Sequence, residues 1–275
     1  MKQEWEGHAG ELMLDAGGTD RSRAAYRLST LGREHLEAAE SLQHTVVQGL
    51  QDQTQLSPFS PDELERVITG RGRTVGVFVD GRLMAFRAVD FPGNDPDNLA
   101  LDLGFAEPLA RQAAHFEMSV VHPDCRGNGL QQLMGHAVLE LIRARRDVRF
   151  ILATVSPSNV PSLKDKFALG MHIAALKPKY GGLWRYILLR KLEQRLGTPG
   201  QESCIRRGEE ETGIVLEDTD RLTACAVPAT ASDELLALSS SYARQQELLA
   251  AGFIGTRLQV TAAGHLIAYR KRDFV

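Results

Sequence analysis

The 275-residue sequence predicts an α/β fold followed by a smaller C-terminal α+β module. Three observations lead to this prediction. Runs rich in β-forming residues alternate with amphipathic helical segments over residues 26–196. An apolar run at 115–121 passes through a glycine-rich corner into a long amphipathic helix. The composition then changes at 197–213, where proline, glycine and charge runs indicate a linker. We therefore expect a polar N-terminal arm at 1–25, a main domain, the linker and a module at 214–275.

The composition is that of an ordinary globular protein, with 43% hydrophobic and 24% charged residues. A net charge of −3 gives no general attraction to nucleic acid or to anionic membranes. The three cysteines are far apart and form no Cys-x-x-Cys pair, so neither a metal site nor a disulfide framework is indicated. The sequence shows no signal peptide and no apolar run long enough to span a membrane. These features predict a cytoplasmic protein without nucleic-acid or membrane partners.

The first part of the main domain predicts a strand and two helices. The run YRLST at 26–30 is typical of a strand, and apolar positions recur at helical spacing over 33–50. A second helix begins after Ser60, which can cap it, while Glu63 completes a capping box. Gly70 ends this helix.

The middle of the chain combines a hairpin with a long helix. Two β-rich runs flank Asp80-Gly81, which is typical of a two-residue hairpin turn. Residues 91–112 are rich in Pro, Asn and Asp and predict a long loop before the strand at 115–121. The helix after the corner is predicted from apolar residues on one stripe, namely Leu130, Leu133, Met134, Ala137, Val138, Leu141 and Ile142.

The remaining elements follow from shorter patterns. A buried strand is predicted at 149–156, a short helix at 159–170, and two strands around the turn Tyr180-Gly181-Gly182. In the C-terminal module we expect a strand, a helix at 232–251 and a hairpin around Gly264. Such a module buries little surface alone, so we expect it to pack on the main domain or on a second copy of the chain.

The corner Cys125-Arg126-Gly127-Asn128-Gly129 has few bulky side chains. The first N–H groups of the helix behind it have no intrahelical acceptors, and the helix dipole adds partial positive charge. Arg126 supplies a cation. The spacing fits neither a Walker loop nor a dinucleotide fingerprint. The pattern predicts a site for a phosphate or pyrophosphate, and an ordinary tight turn is the alternative.

The stretch VVHPDCRGNGLQQLM resembles the acetyl-CoA-binding motif of the GNAT superfamily of N-acetyltransferases. In that motif an apolar strand and Val-x-Pro precede Arg-x-x-Gly-x-Gly/Ala at the start of a long helix. Arg126 and Gly129 match, whereas Gln131 stands where the family has Gly or Ala. SNVPSLKDKFALGM is similar to the second family landmark, a helix that begins near Asn159. The resemblance covers about residues 26–192.

This resemblance implies a mixed, mostly antiparallel sheet flanked by helices. It also implies acetyl transfer from acetyl-CoA, as co-substrate, to an amine by direct attack, without a metal. In the family, the strand before the corner splays from its neighbour, and its backbone pairs with the pantetheine arm. The residues that the resemblance assigns to acetyl-CoA are Ser119, Val121, Arg126, Gly127, Asn128, Gly129, Leu130, Gln131 and Asn159.

Two side chains are candidates for proton transfer. Glu117 lies four residues before Val121, where family members often place a carboxylate base, and residues 117, 119 and 121 of a regular strand share a face. A solvent-facing or salt-bridged glutamate is the alternative. The usual acid of the family is a tyrosine at the position of Lys166, so Tyr180 is the substitute acid. The alternative for Tyr180 is a loop aromatic packed on Trp184.

Several alternatives stay open at this stage. Cys125 could be a nucleophile, although a small loop residue is the simpler interpretation. Lys166 and Gln131 depart from the family pattern, which favours a rival function as a catalytically weak CoA-binding sensor or protein-interaction module. The acceptor, a small molecule or a protein amine, is not specified. The module at 214–275 either shapes acceptor choice without touching CoA, or it is a purely structural extension or a homodimer contact.

Overall fold

The computed structural model describes residues 6–15, 21–50, 52, 56–192, 234–262 and 264–271. Within these residues the strands are β1 Glu6–Asp15, β2 Arg21–Thr30, β3 Arg73–Val79, β4 Arg82–Asp90, β5 Ala113–Val121, β6 Phe150–Val155, β7 His172–Lys179, β8 Leu183–Lys191, β9 Leu235–Leu238, β10 Phe253–Thr261 and β11 Gly264–Lys271. The helices are α1 Leu36–Gln48, α2 Pro61–Thr69, α3 Leu99–Asp102, α4 Glu107–Ala110, α5 Leu130–Arg143, α6 Val160–Ala168 and α7 Tyr242–Ala250.

All eleven strands form one sheet, in the order β1-β2-β3-β4-β5-β6-β8-β7-β10-β11-β9. Strands β5 and β6 pair in parallel because α5 crosses over between them. The other strand pairs recorded in the described residues are antiparallel. The predicted mixed, mostly antiparallel sheet flanked by helices is therefore confirmed.

Helices cover both faces of this sheet. Successive residues of a strand point to opposite faces, and in β3 Val77 packs with α5 and α6 residues such as Met134 and Leu163. Its neighbour Phe78 instead packs with α1 and α2 residues such as Leu42. The α1–α2 pair and the α5–α6 pair thus lie on opposite sides of the strands that form the site.

The capping and turn signals of the sequence are confirmed. Ser60 Oγ accepts a hydrogen bond from the Glu63 N–H at 3.3 Å, and Glu63 Oε2 accepts one from the Ser60 N–H at 2.8 Å. This capping box starts α2. In the β3–β4 hairpin, Asp80 and Gly81 have φ of 48° and 76°, as a turn with two left-handed residues requires.

Three predictions of secondary structure were wrong in part. Residues 6–15 and 21–25, assigned to a polar arm, form β1 and the first half of β2, because pairing between the two backbones needs no apolar pattern. The long loop at 91–112 contains α3 and α4, which are four residues each and too short to show a period. The helix at 232–251 begins only at α7. Residues 235–238 before it pair with β11 as strand β9, so tertiary pairing overrides their helical propensity.

The C-terminal residues 234–271 extend the main sheet. Strand β10 pairs with β7 at Gly255 and Ile173, and α7 packs beside β7. A Cβ at position 255 would lie 3.0 Å from the Ile173 Cβ, so glycine permits this close approach. The predicted linker at 197–213 and the strand predicted before α7 lie outside the described residues. In the described part of the chain, no helix is long and apolar enough to cross a membrane.

Candidate active site

The corner between β5 and α5 has open space around its backbone. Gly127 and Gly129 have φ of 81° and 66°, which side-chain-bearing residues rarely adopt, and a Cβ added at either position would meet nothing within 4 Å. The Leu133 N–H donates to the Gly129 carbonyl at 3.1 Å, as in the first turn of a helix. The N–H groups before Leu133 in this turn have no acceptor within the helix. An anion can approach these donors without a steric obstacle.

Asn128 has a structural task at this corner. Its amide oxygen accepts from the Met13 N–H at 2.8 Å, and its amide nitrogen donates to the Met13 carbonyl at 2.8 Å and to the Cys125 carbonyl at 3.0 Å. The side chain therefore pairs with β1 as a peptide unit would. It ties the N-terminal hairpin to the corner, which leaves the backbone of Asn128 as the group available to a ligand.

Strands β5 and β6 separate beside the corner. Their pairing ends at Phe116 and Ala153, although β5 continues to Val121 and β6 to Val155. On the other side, β5 stays paired with β4, and the His122 N–H donates to the Met84 carbonyl at 2.8 Å. Because backbone groups alternate along a strand, those of Ser119 and Val121 point away from β4 and into the gap. They have the orientation predicted for pairing with a pantetheine arm.

A β-bulge lies at Glu117. Ala88 pairs with Met118 and Val89 pairs with Phe116, so Glu117 is an extra residue on β5. Glu117, Ser119 and Val121 are nevertheless the more exposed positions of this stretch, between the buried residues at 116, 118 and 120. Bulges commonly redirect a side chain next to an active site.

A cavity of about 150 Å³ occupies the gap between the separated strands. Its lining combines residues from the loop before α2, from β5, from the β6–α6 segment and from the β7–β8 hairpin. Among the residues that line it are Phe59, Glu63, Arg87, Glu117, Ser119, Gln131, Thr154, Asn159, Ser162, Lys166, Tyr180 and Arg185. The cavity thus links the start of α5 to both catalytic candidates.

Glu117 is partly exposed in this cavity. Its Oε1 lies 3.3 Å from Nδ1 of His115, which is buried on the same strand. His115 Nε2 lies 3.2 Å from the Leu99 N–H and 3.2 Å from the Asn98 amide oxygen, so its ring is held at both ends. The structure therefore holds the Glu117 carboxylate beside a buried imidazole whose own position is fixed.

Tyr180 lines the same cavity from the β7–β8 turn. Its φ of 49° is a left-handed conformation, and Gly181 and Gly182 also have positive φ. The hydroxyl lies 3.0 Å from Thr154 Oγ1. Partial burial of the hydroxyl and the charge of Glu117 raise the pKa of Tyr180, although the hydrogen bond to Thr154 opposes them. The ring also faces the guanidinium of Arg185.

A charged cluster closes the inner side of the cavity. Asp165 Oδ2 accepts hydrogen bonds from Arg87 Nη2 and from Lys166 Nζ, the latter at 2.9 Å. All three side chains are buried. Arg87 rests on the Phe116 ring, and Gly135 of α5 makes room for it, because a Cβ there would overlap Arg87 Nη1. Arg87 Nε and Nη1 and Asp165 Oδ1 have no protein partner.

The other predicted residues lie either at the cavity or at the corner. Asn159 lines the cavity, but its amide oxygen caps α6 by accepting from the Ser162 N–H at 3.1 Å. Ser119 Oγ is buried beside the cavity without a protein partner. Arg126 and Leu130 belong to the corner, where Arg126 is exposed and Leu130 is part of the core. Gln131 joins the corner to the cavity.

Cys125 is buried, and this burial, with the charge of Asp124, raises the pKa of its thiol to about 11. A thiol in that state is a poor nucleophile at neutral pH, which agrees with the simpler interpretation of a small loop residue. In the residues that the structure describes, no group of three or more His, Cys, Asp or Glu side chains could hold a metal ion.

The C-terminal residues reach the site indirectly. The cavity-lining residues of the described chain lie between Leu56 and Arg185, so none of them belongs to 234–271. However, the Tyr242 ring of α7 lies 5.2 Å from the Trp184 ring. Trp184 precedes Arg185 on the hairpin that carries Tyr180. The extension therefore supports the β7–β8 hairpin without forming a wall of the cavity.

Sequence reasoning missed His115, Arg87, Asp165 and Arg185. For two of them, Arg87 and Asp165, the sequence carries a signal. Arg87 interrupts an otherwise apolar run, and Asp165-Lys166 is a charged pair between buried Leu163 of α6 and Leu169, the residue after this helix. A charge on a buried face needs a partner or a function. The pairing of Arg87 with Asp165, 78 residues away, has no local signal.

Comparisons with known proteins give only structural likenesses. No family model and no curated protein matches the sequence. The crystal structure of Arabidopsis thaliana NAA60 in complex with acetyl-CoA is similar, with a TM-score of 0.50 at 11% identity over 61% of this chain and 98% of that chain. The GNAT domain of S. lividans PAT has a TM-score of 0.46 at 16% identity, over 67% and 97%. The Escherichia coli ribosomal-protein-S18-alanine N-acetyltransferase has 0.45 at 16%, over 63% and 99%.

Proposed function

The chain has the GNAT acetyltransferase fold, and on this premise we propose that it transfers an acetyl group from acetyl-CoA to an amine acceptor by direct attack. One observation supports the proposal most strongly: the glycine corner opens α5 directly beside the gap between β5 and β6. The open corner and an unpaired strand edge are thus next to a cavity that holds ionisable side chains.

The residues of the corner and the gap fit acetyl-CoA as co-substrate. The open backbone of Gly127 and Gly129, the first N–H groups of α5 and the cation of Arg126 suit the pyrophosphate. The free backbone edge at Ser119 and Val121 suits the two amides of the pantetheine arm. Gln131 does not block this path, because its side chain lines the cavity beside the corner.

Glu117 is the proposed base. The attacking amine must lose a proton as the C–N bond forms, and Glu117 presents a carboxylate to the cavity from a bulged strand. His115 Nδ1 lies 3.3 Å from this carboxylate and holds it in place. The acceptor enters beside the loop at 56–59, on the α1–α2 face. Tyr180 and Arg185 line this entrance region and are proposed to orient the acceptor, and Tyr180 is one candidate proton donor for the leaving thiolate.

Calorimetry with acetyl-CoA tests the binding half of the proposal. Arg126→Ala should weaken binding by about 1.5–3 kcal/mol, because it removes a charge-assisted bond to phosphate. Gly129→Val should weaken it more, because it fills the open space and places a branched residue at positive φ. Arg111→Ala is a matched control, since Arg111 lies next to the opposite end of β5 and is exposed. No binding by the unaltered protein would overturn the proposal.

Release of free CoA thiol from acetyl-CoA tests the chemical half. The panel of acceptors contains amino acids, polyamines, aminoglycosides, and peptides with a free N-terminus or lysine. With an active acceptor, Glu117→Gln should lower turnover about 10²–10⁴-fold and leave acetyl-CoA affinity nearly unchanged. Binding of acetyl-CoA without thiol release from any acceptor would favour the alternative function, a CoA-binding sensor or interaction module.

A further inference from the structure

The buried ammonium group of Lys166 has no role in the chemistry described so far. Lysine is rarely buried, because removing its charge from water is costly. Lys166 is nevertheless only 6% exposed, and it lines the cavity at the gap between β5 and β6. Its position is fixed, because Asp165 Oδ2 accepts a hydrogen bond from Nζ at 2.9 Å and is itself held by Arg87.

We propose that Lys166 donates the proton to the sulfur atom of the departing CoA, with Asp165 and Arg87 as positioning residues. This inference rests on the proposed acetyl transfer. A ligand with its pyrophosphate at the corner and its pantetheine along Ser119 carries its thioester into the cavity that Glu117 and Lys166 both line. Glu117 comes from β5 and Lys166 from the helix after β6, so two different elements bring the proton acceptor and the proton donor to the same cavity.

The proposed step balances in protons and electrons. The amine lone pair attacks the carbonyl carbon, the C–N bond forms, and the C–S bond breaks with its electron pair on sulfur. Lys166 gives its proton to that sulfur, which leaves as a thiol, and becomes a neutral amine. The nitrogen of the new amide loses a proton to Glu117. Water returns Glu117 and Lys166 to their starting states by accepting one proton and supplying one.

The charges around Lys166 suit this transfer. Lys166 pairs with Asp165 on its own helix, and Asp165 also pairs with Arg87 on β4. The other titratable or charged groups that line this cavity come from other elements and are Glu63, Glu117, Tyr180 and Arg185. Burial and the charge of Arg87 lower the pKa of Lys166 to about 8, against the effect of Asp165. That value is close to about 8.5 for an ordinary thiol, so proton transfer between them is nearly balanced. Tyr180, with its raised pKa, is a weaker donor.

The thiol pKa of bound CoA tests this placement without any acceptor. An ammonium group beside the sulfur should lower that pKa by roughly 1–3 pH units, which the ultraviolet absorbance of the thiolate reports during a pH titration. In Lys166→Met the pKa should return to that of free CoA. The exposed Lys164 on the same helix provides the matched control, Lys164→Met, which should behave as the unaltered protein.

Two outcomes separate this inference from the proposed function. Failure of the unaltered protein to bind CoA would overturn the proposed function and the inference together. The inference alone would be overturned if bound CoA kept the thiol pKa of free CoA. It would also be overturned if the thiol pKa of bound CoA were lowered equally in Lys166→Met. The Met variant should fold, because Asp165 keeps its pairing with Arg87.

Turnover provides a second readout. Lys166→Met should lower kcat about 100-fold or more with little change in KM for acetyl-CoA, and the fall of activity above about pH 8 should disappear. Lys166→Arg keeps a positive charge but does not release its proton in this pH range. It should therefore keep the lowered thiol pKa and still lose turnover. Full activity of either variant would refute the role of Lys166 as proton donor.

Discussion

Two buried polar clusters, one at α7 and β8 and the other at β4 and α6, differ in how their hydrogen bonds are used. In the neutral cluster, Gln245 of α7 accepts from the hydroxyls of Tyr186 and Tyr269 at 2.7 and 2.8 Å. Its amide nitrogen donates to the Leu238 and Ser239 carbonyls at 3.1 and 3.0 Å. Every polar group of the Gln245 side chain is paired, and the cluster joins the main domain to the C-terminal extension.

The charged cluster of Arg87, Asp165 and Lys166 is built differently. Two cations share one carboxylate oxygen, and Arg87 Nε and Nη1 find no protein partner. A cluster whose only task is to join elements can be neutral and fully paired, as the Gln245 cluster is. Excess charge in a cavity is costly to folding. The charged cluster therefore fits the proposed role at the cavity, whereas the neutral cluster joins two parts of the fold.

The largest expected effect comes from removing the carboxylate of the charged cluster. Asp165→Asn leaves two buried cations without a counter-charge and should lower the free energy of unfolding by about 3–5 kcal/mol at neutral pH. The loss should shrink in alkaline solution, where Lys166 can release its proton. Urea denaturation at neutral pH and in alkaline solution measures the loss in the free energy of unfolding under each condition.

The surface pair of Asp147 and Arg145 gives the control for this experiment. Asp147→Asn removes a carboxylate that is 65% exposed, so it should cost less than about 1 kcal/mol at either pH. Should Asp165→Asn cost no more than Asp147→Asn, the charged cluster would not differ energetically from a surface ion pair.

The neutral cluster should show a smaller loss that does not depend on pH. Gln245→Leu takes the shared acceptor from the hydroxyls of Tyr186 and Tyr269 and a donor from the Leu238 and Ser239 carbonyls, which should cost about 2–4 kcal/mol. The Leu238 carbonyl still accepts from the Ser241 N–H at 2.9 Å. The loss should be equal at neutral pH and at about pH 9, because no group of this cluster is charged there. Arg244→Gln on the exposed face of α7 is the control. A pH-dependent loss for Gln245→Leu would remove the contrast between the two clusters.

Lys166 predicts how stability changes with pH in the unaltered protein. Its pKa falls from the ordinary 10.5 to about 8 on folding, so the unfolded chain holds more protons between these values. The contribution of Lys166 to the free energy of unfolding therefore rises with pH, by about 1–2 kcal/mol between roughly pH 7.5 and 9.5. Lys166→Met should lack this rise, and Lys164→Met should keep it. Parallel stability curves for the unaltered protein and Lys166→Met would contradict the pKa of Lys166.

The sequence was sufficient for the corner and for most elements of the main domain because their signals are local. The capping box at Ser60, the Asp80-Gly81 turn and the glycines at 127 and 129 each fix the backbone within a few residues. The helical stripe after Gly129 was read correctly for the same reason. These features were enough to predict the fold and the open glycine corner at the start of α5.

Features that depend on distant pairing could not be predicted. The bulge at Glu117 exists only in the register between β4 and β5, which the sequence of β5 alone does not specify. The contact between Arg87 and Asp165 requires the β4 strand and α6 to meet. Likewise, position 255 needs a glycine only because β10 packs closely against Ile173 of β7. The pairing of the extension with the main sheet therefore has no local sequence signal.

The smallest predicted effect tests whether the fully paired neutral cluster tolerates the loss of one hydroxyl group. Tyr269→Phe removes one hydroxyl, but Gln245 Oε1 still accepts from Tyr186, so no buried group loses its last partner. The free energy of unfolding should fall by about 0.5–1.5 kcal/mol, and Tyr186→Phe should cost a similar amount. The double variant leaves Gln245 Oε1 without any donor and should cost more than the sum of the two single losses. Additive losses in a double-mutant cycle would mean that the two tyrosines act independently, and the neutral cluster would then not be a single shared unit.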